Sequence, residues 1–439
     1  MSPIKTLQHK NIFIMKTLTN CYISKVSVLI VAAGGFLAGC HKEIRFAQQL
    51  GEVSSIADDT QKDSKIYVSD VNQLYAAVNN PDNAGNRIVL SPGTYVLSSS
   101  FPNGGRLELQ QDMSLQGQPG QPDSVVIDAS PLPASSFLLP PTSFPGALRT
   151  GVIRIGNGTN AIEWLTVKAP PTANALSAIE SDMVTTPQTQ VRVAHCIISG
   201  GQIAIDIRNR DEASNGRVIE AEIADNELFG NTFGFGQAIG IQNSRDVSGA
   251  VINAVLRNNY IHGNRMGIRA YNVVANQSTI TIHSNDDRFE DNGLGLAIIS
   301  GFNEYPIFTA NNNILSFEAQ GTTIMNNMGE PAPPSGTAQP LPGGVLLTGG
   351  QVTVNSLPGT VNNNTLDVNF YGCKFEGNLA PYDINVFGAR STYPSPNPAG
   401  INNVVNLKLM GISANATVMT TASTPAEPAG TDVVNVFRN

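Results

Sequence analysis

The chain has 439 residues, 41% of them hydrophobic and only 14% charged, so it is not disordered by composition, and its polarity comes from neutral turn-forming Asn, Gly, Ser and Thr. The net charge is −8; residues 1–39 hold four Lys and no acid, leaving 22 basic against 34 acidic residues, a balance of −12 that excludes nucleic acid as an electrostatic partner. At this length one large domain or a few ordinary ones are possible, and neither needs a disulfide framework.

In chain order, Lys5, Lys10, Lys16 and Lys25 precede an apolar run, Val26 to Leu37, too short and Gly-rich for a membrane span. Leu37-Ala38-Gly39-Cys40 follows it and resembles the lipobox of bacterial lipoproteins. The resemblance implies a signal peptide over 1–39, lipidation of Cys40 and a membrane partner reached through that lipid. With His41 rather than Asp after the cysteine, it implies the outer membrane of a bacterial cell envelope. Residues 40–65, polar and without periodicity, read as a tether, leaving 66–439 as the folded domain. Met15 is an alternative start that gives a signal peptide of ordinary length.

Beyond residue 150 one pattern returns: an alternating run, a polar or Cys residue, an apolar anchor two later, a polar position three after that, then another alternating run. The anchors are Ile198, Leu228, Ile261, Phe289, Ile324, Phe375 and Ile412. The positions after them are Gly201, Asn231, Asn264, Asn292, Asn327, Asn378 and Asn415. Spacings of 28 to 51 residues are too irregular for a helical solenoid but suit strands joined by elastic loops, stacked about 4.8 Å apart with buried Asn supporting the turns. The pattern resembles right-handed parallel β-helix proteins of the pectate-lyase-like superfamily over residues 68 to 437. That resemblance includes a capping helix with the stripe Val71, Leu74, Ala77 and Val78 and an early rung at Met113 to Ser130. A β-sandwich is the competing fold, disfavoured because hairpin turn pairs do not separate the strands.

Cys196 and Cys373 share one slot in rungs five apart, so they are expected to be free, buried thiols that act as small apolar ladder residues. In the superfamily, ligands lie along the sheet that follows the Asn turn, here residues 177–181, 203–208, 237–242, 266–271, 294–299, 344–348 and 382–387. Alternation then turns Asp206, Arg208, Gln242, Arg269, Tyr271, Asp383 and Asn385 outward, along with Gly240, Gly267, Gly295 and Ala297. Glu180 neighbours Asp206 one rung earlier, and two carboxylates about 5 Å apart suit either a calcium site or a glycosidase pair. Arg269, two rungs on, is placed as a charge stabiliser or, as the resemblance allows, a lyase base. The expected catalytic set is therefore Asp206, Arg269 and Glu180, with Arg208, Gln242, Tyr271, Asp383 and Asn385 as binding residues. Insertions at 329–343, 351–364 and 390–402 flank this sheet as groove walls or as ordinary loops.

Several signals count against catalysis. The Asp-rich and Gly-His-Gly signatures of polygalacturonase-like members are missing, as is a clear Trp-Ile-Asp-His segment of pectate lyases. Trp164 covers an early rung or offers a sugar platform. His195, His262 and His283 read as turn or surface residues, and no zinc spacing is present. Two functions remain: a polysaccharide-binding or polysaccharide-processing lipoprotein, lyase or glycoside hydrolase if an enzyme, with calcium as its one candidate cofactor; or a non-catalytic structural or adhesive surface lipoprotein.

Overall fold

A computed structural model describes residues 64–139, 150–171, 176–181, 187–234, 236–305, 308–329, 343–352, 361–379, 382–391, 400–412, 416–424 and 431–439. The expected signal peptide, Cys40 and nearly all of the expected tether lie outside them; the first strand begins at Lys65, within the span expected to be tether. Among the described residues no helix is long and apolar enough to cross a membrane.

Every strand pairing is parallel, and the strands form three sheets of 12, 9 and 10 strands wound in succession, a right-handed parallel β-helix. One rung runs from Val218–Ala224 in the first sheet through Glu227–Phe229 in the second to Gln237–Ser244 in the third, then returns to Val251–Arg257 one rung up. Alternation in the first sheet places every second side chain inside. The inward stack Val191, Ala221, Ala254, Ile282, Phe317, Val368 and Leu407 stays in register across seven rungs. Each large member contributes about 1.5–3 kcal/mol by burial. In the second sheet the expected anchors Ile198, Leu228, Ile261, Phe289, Ile324 and Phe375 are direct register partners.

The open end is closed by helix α1, Val71–Val78, capped by the Asp70 side chain, which accepts from the Gln73 amide at 2.9 Å. Of the expected stripe Leu74, Ala77 and Val78 are buried and Val71 is partly buried; they are joined by Tyr75, whose hydroxyl donates to the Gly105 carbonyl at 2.7 Å and whose ring stacks on Phe101.

The corners explain the irregular spacing. Between the first and second sheets one residue per rung takes a left-handed conformation: Trp164, His195, Asp225, Asn258, Asp286, Gly321, Gly372 and Gly411. Trp164 and His195 are poorly suited to it, and they stack on each other with centroids 3.8 Å apart, so the indole face is occupied. Next along, the Cys196 and Asn226 backbone amides donate to the rung above, to Asn226 Oδ1 and Asn259 Oδ1; the Asn259 amide in turn donates to Asp287 Oδ1. Both cysteines are free and buried as expected. They are more than apolar fillers: Cys196 Sγ donates to the Ile162 carbonyl at 3.5 Å, the place in its rung where Asn226 Nδ2 donates to Val193. Burial pushes the two thiols up to about 12 and about 11.

The Asn ladder at the second corner runs as read from Asn231 through Asn264, Asn292 and Asn327 to Asn378; Asn415 lies outside the described residues. A further ladder, Asn313, Asn364, Asn403 and Asp432, supports the return to the first sheet.

Candidate functional site

The third sheet differs from the other two in that five consecutive strands, from Ile203–Arg210 to Val345–Val352, are buried on both faces but for Arg269. Its strands also run further than alternation suggests, to Arg210, Ser244, Val273, Asn303 and Val352, and on through Arg390 in the strand Ile384–Ser391. Gln351 and Arg390, expected to open insertions, are strand residues in register with each other.

One outward column reads Glu108, Arg154, Glu180, Asp206, Gly240, Arg269, Ala297, Leu346, Asn385 and Met419. The expected adjacency of Glu180 and Asp206, and the two-rung offset of Arg269, are therefore present. Beside it runs Arg208, Gln242, Tyr271, Ile299, Thr348 and Phe387. Both columns begin charged and turn mostly apolar after Arg269 and Tyr271, with Thr348, Asn385 and Thr421 as polar exceptions.

The two carboxylates are tied to different partners. Glu180 is fully buried; Thr150 and Ser177 hydroxyls donate to it, the latter at 3.0 Å, and Arg154 lies 3.7 Å away, linking it to Glu108 at 3.1 Å. Asp206, also fully buried, pairs through Oδ2 with Arg208 and accepts from Gln242 Nε2 through Oδ1 at 2.9 Å. With both oxygens of each group accepting from the protein, this pair does not fit a calcium ion, which would have to compete with guanidinium and hydroxyl donors for every ligand. Among the described residues no three His, Cys, Asp or Glu side chains gather to hold a metal.

Beyond Asp206 the column is interrupted by Gly240. A Cβ there would stand only 3.0 Å from Asp206 Oδ1 and 3.1 Å from Gln237 Oε1, so the glycine is what lets these two side chains close over the strand. Gln237 is fully buried, and neither amide atom finds a hydrogen-bond partner. Leaving such a group unmatched costs about 1–3 kcal/mol. On the far side stands Arg269, its guanidinium 4.3 Å from the Tyr271 ring centroid and 5.1 Å from that of Phe302. Across 203–210, 237–244, 266–273, 294–303, 345–352 and 384–390, Arg269 is the one side chain that is not buried.

Burial raises the Tyr271 phenol, against the pull of Arg269 and Arg208, so it stays a neutral hydroxyl at physiological pH. Glu304, just past the strand end, is raised by burial and opposed by Arg269, Arg245 and Arg208. Sequence reasoning missed Gln237 and Glu304. Gln237 had a signal, a polar residue at the strand start where neighbouring rungs carry Ile203, Met266 and Leu294; Glu304 had none, since it follows the alternating run.

Three outward assignments are corrected. Asp383 precedes its strand and clamps a turn, accepting from Asn378 Nδ2 at 3.2 Å and from Thr417 at 3.0 Å. Gly267 and Gly295 point inward, where an added Cβ would meet the Phe289 ring and Ile324. The reason is shared: outward Met266 and Leu294 begin each strand, shifting the alternation at its first residues. Asn385 is outward and buried, with Nδ2 3.4 Å from the Tyr382 carbonyl, remote from Asp206 by five rungs. His262 and His283 are partly exposed on sheet surfaces, as read.

No family profile and no curated protein matches the chain. Similar solved structures include the A-module of the Azotobacter vinelandii mannuronan C-5 epimerase AlgE4, at 12% identity over 84% of this chain and 95% of that one, TM-score 0.37. An L. reuters 100-23 SRRP shares 12% identity over 87% of this chain and 100% of that one, TM-score 0.37. An alginate lyase from Paenibacillus sp. str. FPU-7 shares 12% over 86% and 99%, TM-score 0.25. The chain has the parallel β-helix fold on its own strand register, and at these identities no family is assigned to it.

Proposed function

We propose that this protein is a bacterial envelope lipoprotein, anchored through Cys40 to the outer membrane and tethered by residues 40–65, whose β-helix holds an acidic polysaccharide on the outer face of its third sheet. The observation that carries the reading is Arg269: a half-buried guanidinium on a stretch of the sheet whose other side chains are buried, backed by Tyr271 and Phe302 and one rung from Gly240. A cation so placed selects a carboxylate, the aromatic rings keep it oriented, and the Gln237 amide and Tyr271 hydroxyl supply neutral hydrogen bonds suited to sugar hydroxyls. Arg208, Gln242, Asp206 and Glu180 then serve as the support that fixes this wall, and the Asn385 and Asp383 regions lie beyond it.

Retention without cleavage is favoured by one further observation. A general base or nucleophile needs an available oxygen, and both oxygens of Asp206 accept from Arg208 and Gln242.

The test uses mature protein, residues 41–439, with polygalacturonate, alginate and neutral dextran, with and without calcium. Retention of the uronate polymers, unaffected by calcium and weakened at least tenfold by Arg269→Ala, is the expected result. Unsaturated product or new reducing ends would replace retention with processing, and no retention would leave a structural or adhesive role. Cys40→Ser in the full chain is expected to move the protein from the membrane to the soluble fraction.

A further inference from the structure

A second group of unmatched polar atoms lies on the same face, two and three rungs from Arg269. Gln351 and Arg390 are register partners, and Thr348 pairs with Phe387, whose ring centroid is 5.4 Å from the Arg390 guanidinium carbon. All three polar side chains are buried, Thr348 at 0%, Arg390 at 2% and Gln351 at 7% exposure. Arg390 Nε, Gln351 Oε1 and Thr348 Oγ1 each lack a hydrogen-bond partner. Arg208, on an earlier rung, shows what a buried arginine on this face ordinarily has: a carboxylate, Asp206, in direct contact. For Arg390 only the Phe387 ring takes that place among the described residues. Burial lowers its guanidinium to about 10, which leaves it charged at neutral pH. A buried charge without a counterion is among the most costly features a core can hold.

We propose that Thr348, Gln351 and Arg390 form a second subsite that takes an acidic sugar by its carboxylate and a neighbouring hydroxyl. The chemistry follows from which atoms are unmatched. Arg390 Nε is a donor and calls for an anionic acceptor, whereas Gln351 Oε1 is an acceptor and calls for a donor. Acetate or sulfate supplies acceptors only and leaves Gln351 unmatched. A uronic acid supplies both, and the Thr348 hydroxyl can serve either part. Phe387 offers the apolar wall against which a sugar ring packs. Two to three rungs of about 4.8 Å put these residues roughly 10–14 Å along the coil from the Arg269 rung, so one polymer can reach both. That second-subsite role rests on the polysaccharide reading above, while the demand for a hydroxyl-bearing carboxylate is local to these three residues.

The experiment follows thermal unfolding of Arg269→Ala mature protein, in which the first site is disabled, with galacturonate, galactose, acetate and sulfate. The expected result is a rise in Tm of about 1–2 °C at a tenfold excess of galacturonate over its Kd. The other three probes should give little or none, and the response should vanish in Arg269→Ala/Arg390→Met and fall in Arg269→Ala/Gln351→Leu. Arg390→Met alone should raise the ligand-free Tm, which shows that the variant folds. The proposal is overturned by an absent galacturonate response, by equal responses to acetate or sulfate, or by a response that survives Arg390→Met. Polymer retention by the wild type is scored separately: galacturonate binding at Arg390 without polymer retention would sink the polysaccharide reading and leave the subsite standing, and the reverse pattern would do the opposite.

Discussion

The first and third sheets are built from the same coil, yet their outer faces follow different rules. In the first, outward residues are hydrated and polar: Arg192 bridges Glu163 at 2.7 Å and also pairs with Glu222, and Asn435 donates to Asn406 at 2.9 Å, which donates to Asp367 at 2.7 Å. In the third, outward residues are as buried as inward ones, changing from charged pairs around Asp206 to the apolar cluster Met266, Leu294, Ala297, Leu346 and Phe387. The lesson is that alternation determines which way a side chain points but not what it meets. On the first sheet a polar outward residue is the default; on the third it needs a partner, and the unmatched atoms of Gln237, Gln351 and Arg390 stand out for that reason.

The sharpest way to break this contrast is a pair of truncations at outward positions. Leu346→Ala on the third sheet should cost about 2–4 kcal/mol by emptying a packed cluster, whereas Thr281→Ala on the first should fall within about 0.5 kcal/mol, both read by denaturant unfolding. Equal losses would mean that the faces do not differ.

Corners between sheets offer an intermediate effect. Asp287 is buried in an Asn slot, accepts from Asn259 and Ser284, and its carboxyl is pushed up to about 6, chiefly by burial. Since the folded value lies above the unfolded one, the folded state binds the extra proton between about pH 4 and pH 6. Its contribution is complete below that window and is lost as pH rises through about 6. Asp287→Asn should therefore stabilise the protein by about 1–2 kcal/mol at pH 7, with the gain shrinking toward pH 4. A gain that did not depend on pH would show that Asp287 is not titrating in this range.

The smallest effect belongs to the first-sheet charges. Arg192→Ala should cost under about 1 kcal/mol, and less at high salt, because Glu163 is partly exposed and the buried Glu222 keeps its second partner Arg257. A loss comparable to that of Leu346→Ala would show that the exposed ladder holds the coil together.

Much of this was legible in the chain itself. The anchors from Ile198 to Phe375 share one spacing relation to the Asn that follows, so their register could be read without a structure, as could the pairing of Glu180 with Asp206 and the capping stripe on α1. The far ends of the third-sheet strands could not. There Asn209, Asn243 and Asn272 are buried inside the sheet and bond to one another across rungs some thirty residues apart. Read locally, the alternating runs end at 348 and 387, so the pattern alone places Gln351 and Arg390 in the insertions that follow.

By itself, then, the sequence determined the coil: the period-2 alternation sets which side chains stack inside, and recurring Asn marks where the chain turns, because both depend on neighbours along the chain or at the equivalent place one rung away. Only the tertiary structure decided which outward residues meet water, which carboxylates are already neutralised and which buried polar atoms are left unmatched. Those depend on groups that approach from distant rungs, and burial raises the cost of an unmatched polar atom from almost nothing to a few kcal/mol.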